Sequence, residues 1–469
     1  MKTDLRAWTF MLFAFAAAVA TCDAAPGTIR AKWFEADITP EIGVKLAGYD
    51  TNDVSVAKHD SLLASGLCLD DGSNRVLIVS LDLIGMDYPD ILEMRRMLSP
   101  IVGAKEECIM VSCTHTHEGP HSRRLDADDT AGRTARSADG GYMSLLVQRV
   151  EAAAREMASR EWGEYKVGYH SSQCNENRNR RYTTADNHAS FNAHRPILHK
   201  LTTGVVDPEV GTVVLLGKGN RPCYVVGNWT AHPLTAHAPG LGGLRISSDF
   251  PGFYRRYIES ETGAKAMFVQ GAAGDVVTKD DEYGLAAAKR VGEAVAMQSI
   301  FGILSISRCQ DRFVFANPRV GAVVKSFETR LRKKWREKYG RETQTFDVQA
   351  LAVGDVCFVG VPGETVNEIG LEIKWNSPFA RTFVAYCATG YYGYMVPLNL
   401  MAAGGYEAHS HRFASRDTLK LVATAQEAML ELRHSLHPED DDGDDPYPDN
   451  LDQPVVNVPG MYKGTIWQK

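Results

Sequence analysis

The sequence predicts an α/β protein of one large domain, in which mixed β-sheets are flanked by helices. Three observations carry that reading. Short β-branched, apolar runs such as residues 108–112 and 266–269 have the length and composition of buried strands. Turn signals at Asp70-Asp71-Gly72-Ser73-Asn74, Gly219-Asn220 and Gly354-Asp355 join pairs of such runs into antiparallel hairpins. Between the strands, apolar residues recur at helical spacing, as at Tyr142, Leu146, Val150, Ala153 and Met157. With 469 residues, 44% hydrophobic and 23% charged, the chain can bury a large core, and its length permits one large domain or two to three smaller ones. A net charge of -7 offers no basic face of the kind nucleic acid requires.

Taken in order, residues 1–25 carry Lys2 and Arg6, an apolar run over 8–20 and small residues through Ala24-Ala25. That is the pattern of a cleaved signal peptide, and it implies export, periplasmic or secreted. The run is too short for a membrane span, and no later segment reaches spanning length. Thr21 before Cys22 argues against a lipoprotein site. The remaining cysteines, Cys68, Cys108, Cys113, Cys174, Cys223, Cys309, Cys357 and Cys387, include no C-x-x-C pair. They exclude a cysteine zinc site and a small disulfide scaffold, and leave room for one or two disulfides.

The domain itself, residues 30–437, begins with a short strand over 33–40 and the loop Leu46-Ala47-Gly48-Tyr49. Runs 62–69 and 75–83 form the first hairpin, and Asp82 closes it as a carboxylate on a buried strand end that demands a partner. A helix over 90–98 leads to strand 108–112; residues 122–140 read as a flexible flap, and 141–161 as a helix. By itself, Asn175-Glu176-Asn177-Arg178-Asn179-Arg180-Arg181 reads as a solvated loop. The second hairpin, 213–216 with 223–229, delivers Asn228-Trp229-Thr230-Ala231-His232-Pro233. Ser248 and Asp249 are candidate caps for a helix over 253–260. Strand 266–269 enters Gly271-Ala272-Ala273-Gly274-Asp275, which matches no phosphate-binding glycine pattern. An alanine-rich helix spans 284–297, and the Lys/Arg-rich stretch 325–343 reads as a solvated helix or arm. The third hairpin, 348–353 with 356–361, ends at Pro362-Gly363-Glu364. Strand 383–388 runs into the aromatic turn Gly390-Tyr391-Tyr392-Gly393-Tyr394, helix 418–436 closes the domain, and 438–469 is an acidic, partly disordered tail.

The chemistry concentrates at Cys113-Thr114-His115-Thr116-His117-Glu118-Gly119-Pro120-His121. Alternation along a strand places His115 and His117 on one face, roughly 6–7 Å apart along the chain. Two imidazoles there suit a metal or a polarised carbonyl; read blandly, they are surface histidines in a polar loop. His117-Glu118-Gly119-Pro120-His121 also spells H-E-x-x-H, but that signature works only on a helix, which Gly119-Pro120 opposes. Strand ends thus present His115 and His117, His232, Glu364 and Tyr394. Nitrogen and oxygen donors without a thiolate cluster are what a hydrolytic zinc site uses.

These blocks, in this order, resemble the catalytic domain of neutral (non-lysosomal) ceramidases. The matching stretches are Ala36-Asp37-Ile38-Thr39, Gly48-Tyr49, Val79-Ser80-Leu81-Asp82, Thr114-His115-Thr116-His117-x-Gly119-Pro120, Asn179-Arg180 and Asp207-Pro208-Glu209. They continue through Ala231-His232-Pro233, Ser248-Asp249, Gly274-Asp275-Val276, Pro362-Gly363-Glu364 and Tyr406-Glu407, so that the resemblance covers roughly residues 33–425. It implies Zn²⁺ held by His115, His232, Glu364 and Tyr394, with His117 and Arg180 contacting or polarising an N-acyl lipid or small-molecule substrate. Asp37, Asp82, Asp249 and Asp275 are then the carboxylates expected to orient the histidines.

Three departures stand out. Glu118 and Val277 occupy positions where the family has serine, and the short tail leaves no room for the family's C-terminal β-sandwich. The expectation is a zinc-dependent amidohydrolase acting through water. The same chemistry on a non-lipid amide or ester, and a non-catalytic binding protein on this fold, are the alternatives.

Overall fold

The structure, a computed structural model, describes residues 27–48, 54–122, 140–183, 189–191, 204–237, 244–279 and 283–438. The expected signal peptide, the flap beyond Ser122, Tyr49 and the tail beyond Pro438 lie outside them. In chain order the elements begin with β1 (Ile29–Asp37), β2 (Ser55–Lys58), β3 (Leu63–Asp70), β4 (Arg75–Leu81), α1 (Tyr88–Val102), β5 (Ile109–Cys113) and α2 (Gly140–Ser159). There follow β6 (Gly163–Gln173), β7 (Asn177–Asn179), β8 (Arg181–Thr183), β9 (Ala189–Phe191), β10 (Glu209–Leu216), β11 (Pro222–Trp229) and β12 (Leu244–Ile246). Then come α3 (Asp249–Thr262), β13 (Lys265–Gln270), β14 (Val276–Thr278), α4 (Leu285–Arg308), α5 (Gln310–Phe313), β15 (Val320–Arg330) and α6 (Lys333–Tyr339). The last are β16 (Thr343–Val353), β17 (Val356–Gly360), β18 (Glu364–Thr365), α7 (Asn367–Trp375), β19 (Arg381–Ala385), β20 (Tyr394–Met395), α8 (Leu398–Ala403), α9 (Tyr406–Ser410) and α10 (Thr418–Leu436).

Hairpins form where the turn chemistry demands them. In the β3–β4 turn, Asp71 Oδ1 accepts from the backbone N–H groups of Ser73 and Asn74 at 2.8 and 2.6 Å, and Gly72 takes a φ of 95° that a side chain would disfavour. An eight-stranded sheet runs β13-β11-β10-β6-β1-β3-β4-β5, and a four-stranded one β15-β16-β17-β19. Within these two sheets the parallel pairs are β11–β13, β4–β5 and β17–β19.

Pleating sorts the side chains into layers. Trp33, Leu67, Ile78, Val226 and Met267 of the larger sheet meet Leu351, Phe358 and Phe383 of the smaller one. On the larger sheet's opposite face, Phe34, Val79 and Val111 pack on Ile91 and Leu98 of α1 and Leu146 and Val150 of α2. Val225 and Phe268 pack on Phe250 and Tyr254 of α3 and Val291 of α4. The smaller sheet's outer face, Ala350 and Val359, is covered by Ile369 of α7 and by Leu421 and Met429 of α10. Both sheets are therefore buried on both faces, which is why residues 76–79 of β4 and the strand β17 read as unbroken apolar runs. Each fully buried side chain of this kind contributes about 1.5–3 kcal/mol.

The C-terminal ends of the three parallel pairs converge. Asn228 Nδ2 donates to Val269 O (2.8 Å) and Val384 O (3.1 Å), tying β11 to β13 and β19. Tyr386 N donates to Gln270 O at 2.9 Å, and Ser80 Oγ of β4 to Phe268 O of β13 at 2.6 Å.

Three expectations are corrected. Residues 325–343 are a largely solvated helix only over α6, where Lys334, Lys338 and Arg412 lie over the buried Trp335 ring; the rest is most of β15 and the start of β16, not an arm. Nor is 175–181 a solvated loop, because Asn177, Asn179, Arg180 and Arg181 are buried. Ser248 occupies the N-cap position of α3, but its hydroxyl donates to Asp60 (2.6 Å) instead of capping the helix. The eight cysteines of the described residues are all free thiols.

Candidate metal centre

His115 and His117 do converge on one point, but strand alternation is not the reason. The strand β5 ends at Cys113, and His115 takes a left-handed φ of 69°. That conformation is costly for a residue with a Cβ. It is held by bonds from Thr114 N to Leu81 O (2.8 Å) and from His115 N to Leu83 O (2.9 Å). The Nδ1 of His115 then lies 2.6 Å from Ile84 O. His232, separated from the end of β11 by Thr230-Ala231, is set the same way, with Nδ1 2.5 Å from Ala273 O. Carbonyls only accept, so in both rings Nδ1 carries a hydrogen, and Nε2 is the nitrogen that bears the lone pair whenever the ring is neutral.

The Nε2 atoms of His115 and His232 lie 3.6 and 3.2 Å from Glu364 Oε2. Glu364 sits just past β17, and Tyr386 (3.3 Å) and Tyr391 donate their hydroxyls to its carboxylate. The His117 ring centroid is 5.1 Å from that of His115 and 5.7 Å from that of His232. One ligand atom each from His115, His117 and His232 falls within 4.8 Å of the others, so this buried group could hold a metal ion.

The electrostatics fit a cation. Burial pushes His232 down to about 4, with Arg180 acting in the same direction, so its ring is neutral at pH 7. Burial likewise holds His117 well below the usual imidazole range, reinforced by His115 and His232. Burial alone would raise Glu364, whereas positive charge on the facing side, at His115 and His232, holds it well below the usual carboxylate range, and a bound cation would act in the same direction. In its neutral form His232 turns a lone pair, not a hydrogen, towards the Glu364 carboxylate 3.2 Å away, and the buried His115 Nε2 makes no hydrogen bond. A cation among these acceptors would satisfy all three.

Tyr394 stands opposite Glu364 in the parallel β18–β20 pair, and its hydroxyl accepts from Arg180 Nη2 at 3.0 Å. Burial, with Glu364 nearby, raises its phenol well above the ordinary range, while Arg180 opposes that rise. Arg180 also donates from Nε to Glu407 (2.8 Å) and from Nη2 to Gly274 O (2.7 Å). Two of its three nitrogens are thus committed to protein groups rather than directed at a substrate.

None of the four aspartates bonds the ring of His115 or His232, whose Nδ1 atoms meet main-chain carbonyls. Asp37 is an exposed residue whose carboxylate meets Thr39, Ser61 and Arg149. Asp82 takes a bidentate bond from Arg255 (2.8 and 2.5 Å) and a bond from the Thr114 hydroxyl (3.2 Å), bracing the turn before His115. Asp249 accepts from Ala236 N and Phe250 N at 2.7 and 2.5 Å, and burial pushes it up to about 7. Asp275, pushed up by burial to about 6, accepts from Asn367 N and Asn179 Nδ2, both at 2.8 Å. Sequence reasoning missed Tyr386 and Tyr391 as donors to Glu364. Only Tyr391 carried any signal, by its place in the aromatic turn.

Residues 117–121 form no helix, which removes the H-E-x-x-H arrangement. Glu118 instead lies 3.6 Å from His237 Nδ1. Val277 pairs with His232 in a parallel backbone bridge. No helix among the described residues is long and apolar enough to cross a membrane.

No family model and no curated protein sequence matches the chain. Among solved structures, neutral ceramidase from Pseudomonas aeruginosa matches with a TM-score of 0.71 at 16% identity, over 88% of this chain and 75% of that one. A ceramidase complexed with C2 matches with a TM-score of 0.70 at 14% identity, over 88% and 76%. The chain has the fold of these ceramidases.

Proposed function

We propose that this protein is a zinc-dependent hydrolase that cleaves the amide bond of an N-acylated, ceramide-like substrate and works outside the cytoplasm after loss of residues 1–25. The observation that carries the proposal is the facing set of acceptors, His115 Nε2, His232 Nε2 and the Glu364 carboxylate. His115, His232, Glu364 and Tyr394 would hold the ion. Adding His117 would make five protein ligands and leave no comfortable place for water. A divalent ion here would supply a Lewis acid that polarises the scissile carbonyl and acidifies water.

The chain's own groups do the rest. His117, kept neutral by burial, offers an N–H to the oxygen on which charge develops during attack. Arg180 acts through Tyr394, whose hydroxyl it contacts. Tyr386 and Tyr391 fix the Glu364 carboxylate. The likeness in fold to ceramidases supports an N-acyl amide as substrate class, and Val277 beside His232 supports attack by water rather than by a serine.

The test is elemental analysis of purified protein together with mass-spectrometric detection of acid and amine released from N-acyl sphingosines, short N-acyl amides and matched esters. Amide cleavage with bound zinc is expected. Zinc without turnover on any member of the panel would favour the non-catalytic binding protein, and ester cleavage alone would redirect the substrate class.

A further inference from the structure

We propose that Glu407 is a positioning residue for the candidate centre: one buried carboxylate grips Arg180 and Arg181 and so holds the Tyr394 hydroxyl in place. The inference rests on the reading that Tyr394 belongs to the metal-holding set. Glu407 and the two arginines are 0%, 2% and 1% exposed. Glu407 Oε1 accepts from Arg180 Nε at 2.8 Å, and Oε2 from Arg181 Nη1 at 2.6 Å. Arg181 is anchored further by Nη2 bonds to Leu400 O (3.2 Å) and Gly404 O (2.7 Å), at the far end of α8. Arg180 is anchored by Gly274 O, which leaves its Nη2 3.0 Å from the Tyr394 hydroxyl.

The geometry is that of a clamp. A guanidinium is a rigid plane, so fixing Nε on a carboxylate and Nη2 on a carbonyl sets where the remaining Nη2 hydrogen points. Two guanidiniums against one carboxylate also leave a net positive charge beside Tyr394 and Glu364. A counterion alone would need only proximity; a clamp needs the carboxylate at this distance.

The test separates the two. The Glu407→Met, Arg181→Met double variant removes one charge of each sign, so the net charge beside Tyr394 is unchanged while Arg180 loses its carboxylate. The expected result is a folded protein whose crystal structure lacks the Arg180–Tyr394 contact and whose zinc affinity falls about tenfold or more. Arg181→Met alone should keep both. An intact contact with unchanged affinity in the double variant would overturn the clamp. If that variant does not fold, Glu407→Asp, which keeps the charge but shortens the reach, decides. Displacement of Arg180 with weaker zinc binding supports the clamp, and wild-type behaviour overturns it. Should the wild type bind no zinc, the proposed function fails, while the Arg180–Tyr394 contact in the variant still decides the role of Glu407.

Discussion

Replacing Gly48 with alanine should disable His117 without substituting any residue of the centre. An alanine Cβ at position 48 would stand 2.2 Å from His117 Nδ1, 2.6 Å from its Cε1 and 2.9 Å from Ile84 Cδ1. Ordinary contact requires the imidazole to retreat by about 1 Å, and displacements of that size cost roughly 10²-fold where a donor must meet developing charge. The backbone adds its own penalty, because Gly48 has a φ of 86° and a Cβ in that region costs roughly 1–2 kcal/mol. His115 and His232 are braced independently by Ile84 O and Ala273 O, so zinc content should stay near the wild-type level. The assay is turnover on the best N-acyl substrate alongside zinc content and thermal melting of Gly48→Ala. Wild-type turnover in a folded variant would refute a role for His117 in the reaction.

His117→Ala should keep its zinc and fold but lose about 10²-fold in kcat, and His121→Ala should keep its zinc as well; loss of metal in both, measured by elemental analysis, would restore the H-E-x-x-H pairing. Arg255→Met leaves the buried Asp82 without its bidentate partner and should destabilise the fold by about 3–5 kcal/mol in urea unfolding. Burial pushes His411 down to about 4 while one ring nitrogen lies 2.9 Å from Tyr394 O. The unfolded chain therefore takes up this proton first as pH drops. The stability from the neutral ring is complete above the ordinary imidazole pKa and is lost as pH falls through about 4, by at most about 3 kcal/mol. Unfolding of metal-free His411→Asn between pH 4 and pH 7 should show a shallower loss than the wild type.

The hairpins were legible because their turns are made by local chemistry: Asp71 binds backbone two and three residues on, and no distant partner is needed. The layered arrangement was legible only as a class, since unbroken apolar runs do not reveal which sheet covers which face. His115 and His117 could be found, but through a wrong geometry. A left-handed histidine leaves no mark in the sequence, being held by the carbonyls of Leu81 and Leu83 at and just past the end of β4. Arg180 and Arg181 looked solvated because the carboxylate that buries them, Glu407, is more than two hundred residues away. Asp37 and Asp275 are the same residue type between similarly apolar neighbours, Ala36 and Ile38 in one case and Gly274 and Val276 in the other, yet Asp37 sits at an exposed strand end and Asp275 at the converging ends. Only the topology separates them.

Whether the acceptors around Glu364 bind a metal decides the role of the whole centre. Metal-free protein titrated with Zn²⁺ against a competing chelator reads this without any assumption about substrate. One tightly held ion per chain is expected in the wild type, with binding lost in both His115→Ala and His232→Ala. No zinc bound by the wild type, or wild-type affinity in both variants, would contradict it.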